Sequence, residues 1–76
     1  MGAGSKRILQ EARKWYEKSA AAGRTFAMVN LGSIYQNGLG VPKDLEQARK
    51  WYEMAAAAGD ESAKASLKQL DASKRK

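Results

Sequence analysis

Ala48–Gly59 reads A-R-K-W-Y-E-M-A-A-A-A-G, and thirty-six positions earlier Ala12–Gly23 reads A-R-K-W-Y-E-K-S-A-A-A-G. Across Leu9–Gly23, eleven of fifteen residues are identical to their counterparts in Leu45–Gly59. Sliding the chain by thirty-six also brings Leu31 onto Leu67. Such an echo marks a unit that cannot bury its apolar stripe alone and does so by stacking on a copy of itself. The fold class expected is all-α: four helices in an α/α repeat, made of helix pairs.

Outward from this stretch, Leu45, Ala48, Trp51, Tyr52, Ala55 and Ala56 recur at spacings of three and four, as Leu9, Ala12, Trp15, Tyr16, Ser19 and Ala20 do before them. Both seams therefore lie on helices, predicted at about 44–58 and 6–22, and Gly59 and Gly23 are placed to end them in a left-handed conformation. Asp44 is positioned as an N-cap with Gln47 in capping-box spacing. Between the two copies, Thr25 is expected to cap a helix over 25–37 with Ala27, Met28, Leu31, Gly32 and Tyr35 on one stripe. A glycine inside a helix costs about 1 kcal/mol relative to alanine, so Gly32 implies close approach of a neighbour, and an aromatic ring is the expected one. Asp60 is placed to cap a last helix over 60–73, with Ala63, Leu67 and Leu70 as its apolar positions and the polar character of an end cap.

Seventy-six residues make one small domain, and a chain of this size buries only about 60% of the surface its unfolded form exposes. There is no Cys and no His, which excludes disulfides, thiolate chemistry and the commonest metal ligand. The net charge is +6, but five basic residues lie at the ends (Lys6, Arg7, Lys74, Arg75, Lys76), and between Ile8 and Ser73 nine basic residues face eight acidic ones. The body is nearly neutral, so the charge reads as solubilising ends; a small nucleic-acid binder acting through those ends is the alternative, disfavoured reading. No apolar run is long enough to span a membrane, and no segment assigns a compartment. Residues 1–5 are expected to be a flexible leader or expression remnant, 6–74 the repeat domain and 74–76 a basic tail.

Ala27, Leu31, Gly32, Tyr35, Gly38, Gly40, Asp44, Ala48, Trp51, Tyr52, Ala55 and Gly59 stand at spacings that resemble one full unit of the Sel-one-like repeats (SLR), relatives of the tetratricopeptide repeats. Tetratricopeptide units have a period of 34; the two further residues and the Gly-Leu-Gly-Val-Pro connection favour the SLR branch. The flanking helices resemble a second-type half repeat before the unit and a first-type half repeat after it, with Lys68 and Asp71 departing from Gly32 and Tyr35. The resemblance implies a right-handed, solenoid-like superhelix whose first-type helices line a concave, partner-binding side.

Three features invite a chemical site. The Trp-Tyr pairs could stack on bases or sugars, but their recurrence at the repeat period in an Ala-rich seam assigns Trp15, Tyr16, Trp51 and Tyr52 to packing. Gly38-x-Gly40 lacks the strand that precedes a nucleotide-binding loop. Asp44, Glu46, Asp60 and Glu61 sit at helix starts, where they cap backbone N–H groups. No catalytic, cofactor or metal residues are assigned. Phe26, Val29, Ser33, Gln36 and Asn37 form a candidate partner-binding groove, with covering of the opening helix by Phe26 and Val29 as the equal alternative. The function expected is a non-catalytic scaffold for protein or peptide interaction, in a natural fragment, an engineered minimal array without an evolved ligand, or a chain that completes its core by self-association through its terminal half repeats.

Overall fold

The helices follow one another as α1 (Gly2–Ala21), α2 (Thr25–Asn37), α3 (Leu45–Ala57) and α4 (Glu61–Lys74). The computed structural model describes the backbone of residues 2–74 and the side chains of residues 7–72, and the calls on Met1, Arg75 and Lys76 lie outside the described residues. Each helix packs on the next in the chain, α1 on α2, α2 on α3 and α3 on α4. The result is a slab with extents of 36 × 33 × 15 Å. Among the described residues no helix is long and apolar enough to cross a membrane.

The two copies stop in the same way. Gly23 and Gly59 have φ of 91° and 100°, and in each turn the residue after the glycine donates its N–H five residues back, Arg24 to the Ser19 carbonyl at 3.2 Å and Asp60 to the Ala55 carbonyl at 3.0 Å. The glycines themselves donate to Ala20 and Ala56 at 2.9 Å. This pairing satisfies helix carbonyls that would otherwise be orphaned, and it reverses the chain into the following helix.

The starts differ from one another. Asp44 Oδ1 accepts from the N–H groups of Glu46 and Gln47, both at 3.1 Å, and Asp60 Oδ1 accepts from Ala63 at 3.2 Å, as the sequence predicts. The return half of the capping box is replaced by a tertiary bond, since the Asp44 N–H donates to the Tyr35 carbonyl on α2 at 2.8 Å. Thr25 is not a cap: it is the first residue of α2, and Arg24 holds the cap position without a side-chain bond. The tight turn accounts for this, because the Arg24 carbonyl already accepts the first helical bond, from Met28. At the other end, α1 begins at Gly2 and not near Lys6, so residues 2–5 continue the helix where a flexible leader was expected; no proline interrupts them, and adding residues to a formed helix is far easier than starting one.

Ala20, Ala27, Met28, Leu31, Ile34, Ala55 and Ala63 form the larger core cluster, and Ala48, Tyr52 and Leu70 the smaller. Ile34 holds the buried place expected of Tyr35, which is half-buried, and Leu45 is 41% exposed although it continues the apolar seam of α3. α2 lies between α1 and α3, so it buries residues around more of its circumference than a single stripe would.

Candidate interaction surface

The contact between α2 and α3 is built on a missing side chain. A Cβ placed on Gly32 would lie 2.5, 2.7 and 2.8 Å from Cε1, Cδ1 and Cζ of Tyr52, so the ring lies directly against the backbone of α2. The Tyr52 hydroxyl then donates to Gln36 Oε1 at 2.7 Å. Val29 and Tyr35 on α2 and Leu67 on α4 close around Ala48, Tyr52 and Leu70. Burial pushes the Tyr52 phenol above its ordinary value, with Ser66 on α4 opposing that shift. The aromatic neighbour expected for Gly32 is thus found, and so is a polar partner for one of the Tyr groups.

The same residue types on α1 meet a different environment. Ala48, Tyr52 and Ala55 are buried and Trp51 is half-buried against the core, whereas their counterparts Ala12, Tyr16 and Ser19 are half-buried and Trp15 is exposed. Trp15 is 56% exposed, which corrects its assignment to core packing. It leans instead on Phe26, itself 42% exposed, with ring centroids 6.0 Å apart and planes at 63°, and on Tyr16 at 5.5 Å and 73°. Both are edge-to-face arrangements of the kind aromatic rings favour. Ile8, about two turns before Trp15 along α1, is 66% exposed. Between α1 and α2 lies a cavity of about 220 Å³ bordered by Leu9, Ala12, Tyr16, Ser33 and Ile34 among others.

The five residues of the candidate groove do not share one environment. Phe26 covers Trp15, and Val29 packs against both core clusters. Ser33 borders the cavity on the α1 side, and its Oγ and carbonyl accept from the Asn37 amide at 3.2 and 3.0 Å. Gln36 faces the other way and receives the Tyr52 hydroxyl. Phe26 and Asn37 are the exposed members.

The remaining polar groups have structural uses. Gly38 takes φ 67° and ψ 48° at the end of α2 and donates to the Ile34 carbonyl, as does Leu39 at 2.9 Å, so the Gly38–Gly40 loop is a helix stop. Asp71, standing where the repeat pattern has Tyr35, pairs with Arg49 across α3 and α4. That hydrogen bond, ahead of the opposing effect of burial, raises the Arg49 guanidinium above its ordinary value. Arg13 pairs with Glu17 at 3.0 Å and Lys64 with Glu61 at 3.3 Å, each within its own helix. The Arg49–Asp71 pair escaped sequence reasoning; the substitution of a carboxylate at a Tyr position, twenty-two residues from an Arg of the facing helix, was the signal for it.

The family model of the Sel1 repeat matches residues 1–23 and 25–60. No curated protein matches the chain significantly, nor does any solved structure.

Proposed function

Because the chain belongs to the Sel1 repeat family, whose repeats generally mediate protein–protein interaction, we propose that it is a non-catalytic interaction scaffold that recognises a protein or peptide through the aromatic corner where α1 meets α2. The observation that carries this reading is the pairing of Trp15 with Phe26, two large rings left 56% and 42% exposed side by side. Aromatic side chains grouped on a surface are the usual anchors of protein recognition, since they offer a large contact area with few rotors to immobilise. Phe26 lies in the first turn of α2, so a partner seated on the corner would contact α1 and the start of α2.

Self-association through the terminal half repeats is a weaker reading. It would set α4 of one molecule on α1 of the next, and α4 offers Lys68 and Asp71 where α2 offers Gly32 and Tyr35. Burying those two charges against Tyr16 and Ala12 carries a desolvation cost.

Alanine at Phe26 and at Trp15 tests the proposal against a verified partner. Loss of one such anchor is expected to weaken binding by about tenfold or more. Undiminished binding by both variants would remove the corner from the account.

A further inference from the structure

Charged residues make up 29% of the chain, yet none falls among the thirteen residues of α2. Phe26, Asn30, Ser33 and Asn37 follow one another at steps of four, three and four, so they share a single face of that helix. Phe26 and Asn37 are exposed there, and Asn30 and Ser33 half-buried. Thirty-six positions on, Ser62, Ser66 and Gln69 hold the same face of α4, with Ser62 and Gln69 exposed. Glu61, Lys64, Lys68 and Asp71 fall outside that spacing, where Lys64 pairs with Glu61 and Asp71 with Arg49. The two faces come together at Tyr52, whose hydroxyl donates to Gln36 of α2 at 2.7 Å while Ser66 of α4 reaches the same phenol. They form the two sides of one uncharged strip.

The polar groups of this strip are of one chemical kind. Amides and hydroxyls both donate and accept, whereas a carboxylate only accepts and an ammonium only donates. A polypeptide backbone offers the same mixture, one N–H and one C=O per residue, and needs both satisfied where it is buried. We propose that the strip formed by α2 and α4 holds an extended, uncharged peptide segment of another protein by its backbone, with an apolar side chain of that segment seated on Phe26. This deepens the interaction-scaffold reading and rests on it. Among the described residues the Asn37 amide is spent on Ser33 and Gln36 on Tyr52, so Asn30, Ser62 and Gln69 are the groups that meet the peptide.

From Phe26 to Asn37 the face runs about 16 Å, at about 1.5 Å per helical residue, which is the reach of about five residues of extended chain. A charged side chain within those five is desolvated against a face that carries no counter-charge, and the strip selects against it. The net charge of +6 draws acidic segments toward the molecule, but the strip gives them nothing to pair with.

The test is a selection on the full chain from a library of random octapeptides, acetylated and amidated at their ends to remove terminal charge. Peptides with an aromatic or large aliphatic residue and no charge over about five neighbouring positions are expected. Their affinity should change by less than about twofold between low and high salt, because there is no ion pair to be screened. Asn30→Ala and Gln69→Ala are each expected to weaken the selected peptides by about three- to tenfold, the worth of one hydrogen bond. Gln69 is exposed, so its variant decides the matter if Asn30→Ala disturbs folding. Ser62→Lys is expected to turn the selection toward acidic peptides. An empty selection, peptides rich in Asp and Glu from the unaltered chain, an affinity that falls steeply with salt, or indifference to both alanine variants would overturn the proposal. A neutral oligosaccharide, with cellohexaose as the probe, that binds where no peptide does would overturn it too. Charged peptides that still need Phe26 would sink this inference alone and leave the scaffold reading standing, whereas peptides indifferent to both Phe26→Ala and Trp15→Ala would take that reading down with it.

Discussion

Gly32→Ala sets two effects of opposite sign against each other, and the structure decides between them. In an open helix the substitution stabilises by about 1 kcal/mol, through helix propensity and a less flexible unfolded chain. Here the new Cβ meets the Tyr52 ring at 2.5 to 2.8 Å, where carbon atoms in ordinary contact sit about 3.5–4.0 Å apart. The ring must retreat by about 1 Å, yet it is only 2% exposed and its hydroxyl is held at 2.7 Å by Gln36. Forced overpacking costs about 1–3 kcal/mol, and loss of the hydroxyl bond about 1 kcal/mol more. After subtracting the propensity gain, Gly32→Ala is expected to destabilise the protein by about 1–3 kcal/mol. At this chain length each kcal/mol lowers Tm by about 4–8 °C. Urea and thermal unfolding followed by far-UV circular dichroism read the change directly. Repeating the substitution in a Tyr52→Ala chain removes the ring, and there Gly32→Ala should stabilise by about 1 kcal/mol. The Tyr52→Ala background itself loses about 3–5 kcal/mol, so both arms are measured in a stabilising osmolyte. A stabilising effect in the wild-type background, or the same sign in both backgrounds, would refute the packing of Tyr52 on Gly32.

Two further substitutions follow from the bonds around α3. Asp44→Ala removes the acceptor shared by the Glu46 and Gln47 N–H groups and is expected to cost about 1 kcal/mol in urea unfolding, most of it restored by Asp44→Asn. Tyr52→Phe leaves Gln36 Oε1 without its donor, for a loss of about 1 kcal/mol. The phenol also gives a pH signature. Because burial raises it in the folded state, the unfolded chain deprotonates first, so stability from this group is complete below the ordinary value of 10.0 and falls as the pH climbs toward the folded value. Alkaline unfolding curves of the wild type should carry that decline, and those of Tyr52→Phe should lack it.

What the sequence made legible was whatever depends on a residue and its own turn of chain. Gly32 announced a close neighbour, Gly23 and Gly59 announced helix stops, and Asp44 and Asp60 announced caps, because each has a local backbone reason. What it hid depends on which helix stands opposite. Trp15 and Trp51 occupy the same six-residue string A-R-K-W-Y-E, so no local rule separates them; among the described residues α3 packs between α2 and α4 and α1 packs on α2, and the one ring is half-buried and the other exposed. Gln36 looked like a free groove residue because its partner is sixteen positions away. Thr25 was the better cap by residue type, but the tight turn at Gly23 advanced the helix start by one position, and turn geometry outranks side-chain preference there.

The comparison of those two tryptophans is also the most direct test of the account, whose central claim is that two copies of one helix differ because, among the described residues, α3 packs between two helices and α1 packs on α2. Acrylamide quenching and emission maxima are measured on Trp15 alone, in Trp51→Phe, and on Trp51 alone, in Trp15→Phe. The account predicts red-shifted, strongly quenched emission from Trp15 and bluer, protected emission from Trp51. Equal quenching of the two would contradict it.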